Sequence, residues 1–179
     1  SGTGSTGSTS NTGTDNTVAS GAASLKEDSK ALASDELFAK MKDKYGNETD
    51  QYDISKIFAT AKSFVNNYNK MFDAAESSSN SGVVANLSYI REKTARNEDA
   101  LKQFGISVDQ KGRMKIDEAT FKKSDMAEVQ KLFKEYASSI GTNVSLVDYY
   151  MTTQANAASG YTADGGYNVQ GSARYAGMV

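Results

Sequence analysis

The first 24 residues, SGTGSTGSTSNTGTDNTVASGAAS, contain one large apolar side chain, Val18. Such a stretch cannot bury enough area to offset its ordering entropy, so 1–24 reads as a flexible Ser/Gly/Thr-rich linker or tail. From Leu25 the pattern becomes helical. Ser34 or Asp35 is placed to cap a helix with Leu37, Phe38, Met41 and Tyr45 on one face, and Gly46 to stop it. The polar NETDQYD (47–53) reads as a turn. Ile54, Ile57, Phe58, Ala61, Phe64, Val65, Tyr68, Met71 and Phe72 then recur at three- and four-residue spacing and predict an amphipathic helix over 54–72. Its stripe is broad enough for two neighbours. After the loop 76–82, Val83, Val84, Leu87, Ile90, Thr94, Asn97 and Leu101 give a helix with a narrow, coiled-coil-like seam and a charged, solvated outer face.

At GISVDQKGRMKIDE the period changes from 3.6 to 2. Ile106 and Val108, then Met114 and Ile116, alternate with polar residues, which predicts a β-hairpin over about 105–117 with Gly112 in its turn. Asp117 follows as a helix N-cap. A helix through Phe121, Val129, Leu132, Phe133, Tyr136 and Ile140 is expected, with a break near Ser124–Asp125 and a stop at Gly141. Asn143 would cap a last helix carrying Val144, Val147, Tyr150 and Met151. The pattern is mainly α: an elongated antiparallel helical bundle or coiled coil with one short inserted hairpin. The helical domain spans 25–158, and a Gly/Tyr-rich tail spans 159–179. The expected core is Phe58, Phe64, Val65, Tyr68, Leu87, Ile90, Leu101, Ile106, Ile116, Phe121, Val129, Leu132 and Phe133. Something must also cover the wide stripe of 54–72, either the 34–45 segment or a second copy.

Composition narrows the chemistry. The 179 residues include no Cys, His, Pro or Trp. Thiolate nucleophiles, zinc–thiolate sites and the imidazole bases of most acid–base sites are therefore excluded. Net charge is −2, with 20 basic and 22 acidic residues interspersed, which speaks against a nucleic-acid partner. No apolar run reaches the ~20 residues of a membrane span, and no signal-peptide pattern opens the chain, so no membrane insertion is expected.

Residues 107–118 can be laid on a calcium loop, with Gly112 at its sixth position and Glu118 at its twelfth. That register also puts Lys111, Arg113 and Lys115 around the ion, and the alternation favours strands. No metal, cofactor or catalytic residue is assigned. A carboxylate-based hydrolase is the one enzymatic alternative, and no acidic residue sits in an apolar run that would tune it. Tyr161, Tyr167 and Tyr175 lie on the glycine-rich tail, where Tyr and Gly together suit adaptable contacts. A secreted or surface binding module using that tail is the alternative from a different class.

The stretch ALKQFGISVDQKGRMKIDEATFKKSDMAEVQKLF (100–133) resembles the C-terminal helical stem of flagellar hook-associated protein 2, the bacterial filament cap. The family has a helix, a GI-x-x-D-x-x-G-x-L-x-x-D hairpin and a helix ending V-x-x-L-F. The matching residues are Gly105, Ile106, Asp109, Gly112, Asp117, Phe121, Val129, Leu132 and Phe133, with Met114 for the usual Leu. Upstream, Phe64, Val65, Tyr68 and Asn69 are similar to the family's F-V-x-x-Y-N helix. The resemblance covers roughly 57–150. It implies a non-enzymatic structural module of an extracellular or cell-surface appendage, with protein partners: itself or flagellar axial proteins.

Overall fold

The computed structural model describes residues 21–164, with side chains described to residue 153. Helix α1 covers 21–32. Strands β1 (Lys40–Lys42) and β2 (Glu48–Tyr52) follow, then helices α2 (Ile54–Ala75), α3 (Ser81–Arg96) and α4 (Glu98–Gln103). Strands β3 (Ile106–Val108) and β4 (Met114–Ile116) lead to helices α5 (Glu118–Lys123) and α6 (Met126–Asp164). The fold is mainly helical, with two small antiparallel hairpins.

Helix α2 is the axis of the core. Asp53 caps it by accepting from the Lys56 N–H at 3.1 Å, and the spacing of its apolar residues buries Ile57, Phe58, Ala61, Phe64, Val65, Tyr68, Met71, Phe72 and Ala75. The wide stripe is covered within the chain. Helix α1 runs antiparallel to α2: Gly21 lies beside Lys70 and Met71, and Asp28 accepts from Ser63 Oγ at 2.7 Å and Asn67 Nδ2 at 2.8 Å. Phe64 meets Phe133 and Tyr136 of α6 edge-on, at 5.9 and 6.0 Å between ring centroids. Phe58 meets Phe121 of α5 at 5.8 Å.

The cover over α2 differs from the expected helix at 34–45. Residues 34–39 form turns, with Phe38 N donating to Asp35 O and Ala39 N to Glu36 O, both at 3.2 Å. Leu37 and Phe38 are buried there, but Met41 and Tyr45 are exposed. The segment then becomes a hairpin, because Gly46 holds φ 86° in its turn and stops no helix. NETDQYD supplies strand β2. The covering helix begins earlier, and residues 21–24, read as linker, are helical with Ala22 buried. Residues 1–20 lie outside the described part of the chain.

Two further boundaries change. The helix read as 84–101 breaks at Asn97 into α3 and α4. Val84, read onto the seam, is half exposed, while Val83, Leu87, Ile90 and Leu101 are buried. Helix α6 is continuous through Gly141 and Asn143 to Asp164, 39 residues or about 58 Å, so 159–164 are helical rather than tail. Asn143 caps nothing. It is buried and donates from Nδ2 to Asn86 Oδ1 of α3 at 2.9 Å. Asn86 Nδ2 donates to Gly82 O at 2.7 Å, and Lys93 Nζ reaches Asn143 Oδ1 and Ser139 O, both at 2.8 Å. Gly82 lies under the Tyr150 ring and Thr94 beside Tyr136, so α3 and α6 run antiparallel. Satisfied amides let polar residues occupy buried helix positions.

Candidate functional site: a clamped hairpin and an exposed arm

Of the residues that carry the family resemblance, Gly105, Ile106, Asp109, Gly112 and Asp117 build the β3–β4 hairpin and its base, and Asn69 binds it from α2. Its register pairs Ile106 with Ile116, Ser107 with Lys115 and Val108 with Met114. Ile106 and Met114 are buried, while Val108 and Ile116 are half-buried at the margin of the same core. Asp109 closes the tip: its Oδ1 accepts from the N–H groups of Lys111 at 2.8 Å and Arg113 at 3.0 Å. Those bonds, from Arg113 first, hold its carboxyl below the ordinary carboxylate range. Gly112 takes φ 79°. At the base Gly105 takes φ 86°, its carbonyl accepts from Asp117 N at 2.8 Å, and Asp117 caps α5 through Thr120 N at 2.9 Å.

The hairpin is clamped to α2. Asn69 Oδ1 accepts from Met114 N at 2.7 Å and its Nδ2 donates to Met114 O at 2.9 Å, so one side-chain amide takes the place of a neighbouring strand. Arg113 spans Asp73 and Glu76, with Nε–Oδ1 and Nη2–Oε2 both 2.8 Å. Arg91 lies over the Phe72 ring, 4.8 Å from its centroid, and reaches Glu76 at 3.4 Å.

Below the clamp, Tyr68 Oη donates to Thr94 Oγ1 at 3.1 Å, and Thr94 shares a 2.7 Å bond with Tyr136 Oη. Burial raises both phenol pKa values, that of Tyr136 well above its ordinary value. Phe64, Val65, Phe121, Val129 and Phe133 are buried and Leu132 is half-buried. Every matched residue thus shapes a turn, caps a helix, clamps the hairpin or fills the core. The sequence reading missed Arg113 and its carboxylate partners, which are 37–40 residues apart along the chain.

The sequence reading also missed the β1–β2 hairpin, the exposed arm. Its tip repeats the tip of β3–β4 bond for bond. Asp43 Oδ1 accepts from Tyr45 N and Asn47 N, both at 2.9 Å, and Asp43 N donates to Asn47 O at 2.8 Å, as Asp109 N does to Arg113 O. The signal was present in the sequence: Phe38, Asp43, Gly46, Asp53 and Ile57 echo Phe104, Asp109, Gly112, Asp117 and Phe121. The two residues by which the first set is longer enter β2, which crosses four residue steps between Glu48 and Tyr52 while β1 crosses two. Residues 41–48 are all exposed, Tyr45 by 77%.

A cleft of about 250 Å³ between the β3–β4 tip and α3 is lined by Tyr68, Arg91, Thr94, Glu98 and Lys111. Among the described residues no group of three acidic side chains is arranged to hold a metal ion, and no helix is long and apolar enough to cross a membrane. The side chain of Tyr161, and Tyr167 and Tyr175 entirely, lie outside the described residues. No protein-family model, curated protein or solved structure matches the chain.

Proposed function

We propose that this chain is a non-enzymatic structural module that works by assembling with protein partners, in the manner of the helical stem of the flagellar filament cap. On this reading the helices form an elongated antiparallel bundle, and the partners are further copies of the chain or axial proteins of a surface appendage. The observation that carries the reading is the use made of the hairpin residues. Gly105, Asp109, Gly112 and Asp117 set the backbone, and Asn69 locks it to α2, so the motif specifies a shape. A reaction site would spend such polar groups on a substrate.

The reading places the chain outside the cell. Immunogold labelling of source cells tests it: label on surface filaments, concentrated at their ends, is expected. Label confined to the cell interior would contradict the proposal.

A further inference from the structure

The docked hairpin shows what the exposed one lacks. Both have the same Asp-closed tip and the same Asp-capped helix after it. The β3–β4 hairpin lays Ile106 and Met114 in the core, and Asn69 satisfies the outer edge of β4. In the arm the corresponding positions are Lys40 and Glu48. Among the described residues no hydrogen bond or ion pair ties residues 40–52, the whole ribbon, to the rest of the chain. A two-stranded ribbon with both outer edges unpaired is marginal in water and is a ready template for another strand.

We propose that the arm joins copies of this chain head to tail, the β1 edge of one copy pairing with the β2 edge of the next. Charge is segregated between the strands. Residues 40–44 carry three lysines and one carboxylate, and residues 48–53 carry Glu48, Asp50 and Asp53 with no cation. Lys42 already faces Glu48 across the hairpin, and Lys40 Nζ lies 4.8 Å from the Tyr52 ring centroid, so the two sequences are compatible as neighbours. Pairing β1 with β1 would set lysine against lysine, and β2 with β2 carboxylate against carboxylate; like charges directly opposite are destabilising. The favoured contact is therefore heterologous, and it propagates into a ring or an open chain. The short strands make each contact weak and salt-sensitive. This inference rests on the assembly reading above and names the surface that would serve it.

The test is sedimentation velocity of the full chain at low ionic strength over a concentration series. Wild type should associate reversibly, and Lys40→Glu/Lys42→Glu should weaken association about tenfold. That variant also sets like charges within its own hairpin, so a second one carries all four reversals, adding Glu48→Lys and Asp50→Lys. The fourfold variant keeps its internal pairing and restores opposite charges between the β1 and β2 edges of neighbouring copies, so it should regain self-association at the wild-type level. Unweakened association of the Lys40→Glu/Lys42→Glu variant, or no recovery in the fourfold variant, would overturn the arm and leave the assembly reading standing. A strictly monomeric wild type would overturn the arm, and the lysines and the irregular β2 would then serve to protect the edge; assembly with axial proteins is tested separately by the labelling above.

Discussion

Replacing Gly105 with Ala should cost far more than the same change at Gly112, although both glycines sit in one hairpin. Both take positive φ, 86° and 79°, which for a residue with a Cβ costs about 1–2 kcal/mol. Their surroundings differ. A Cβ at Gly112 meets nothing within 4 Å, whereas one at Gly105 falls 2.9 Å from Asp117 O and 3.0 Å from Thr120 Cβ. The obstacle includes backbone at the α5 cap, so relief requires moving the cap itself. Forced overlap of this kind costs about 1–3 kcal/mol more. Gly105→Ala is therefore expected to lose about 2–5 kcal/mol and Gly112→Ala about 1–2 kcal/mol, against a total stability of about 5–15 kcal/mol. Urea unfolding followed by circular dichroism at 222 nm gives both values, and the difference between the variants isolates the steric part. Equal losses would show that the base of the hairpin is not held against α5 as described.

Ile106→Asp, at a fully buried position, should destabilise by about 3–5 kcal/mol, and Ile116→Asp, at the half-buried margin, by less; thermal melts of both variants check the ranking. Asn69→Leu should cost about 1–3 kcal/mol, because the Met114 N–H and C=O both lose their partner, and amide exchange at Met114 should speed up. Acid should weaken both hairpin tips. The carboxyls of Asp43, held down first by the Asn47 N–H, and of Asp109, held down first by the Arg113 N–H, lie below their unfolded value of 3.8. Their contribution is thus fully present above that value and is lost as pH falls through the depressed folded values; Asp109→Asn should remove part of the acid sensitivity seen in pH-dependent melts. Deleting residues 1–32 should expose Phe64 and Met71 and drive aggregation, whereas deleting 1–20 should leave the fold intact, as light scattering would report.

Periodicity carried the reading where one face of an element is apolar and the other polar. Helix α2 and the β3–β4 hairpin meet that condition, and their core residues and the Asp117 cap were legible from spacing. Helix α1 was legible only from Leu25, because its first turn, 21–24, shares the composition of the linker, and the small Ala22 and Ser29 fill buried positions beside the larger Leu25 and Leu32. The arm was hidden because Leu37, Phe38, Met41 and Tyr45 fall at helical spacing by coincidence, while its own alternation is of charge and carries no apolar face. Gly141 and Asn143 looked like a boundary because local propensity favours one there, and the buried Asn86–Asn143 contact overrides it. The hairpin motif was legible as a set of residues. The ring of Asn69, Asp73 and Glu76 that clamps it was not legible as a unit, because its members meet the hairpin only through the tertiary fold.

The self-assembly claim is tested most directly by sedimentation velocity of the intact chain at low ionic strength, from low-micromolar to near-millimolar concentration. The account predicts a weight-average sedimentation coefficient that rises reversibly with concentration as copies add to one another. A single monomeric boundary, unchanged across the whole range, would contradict it.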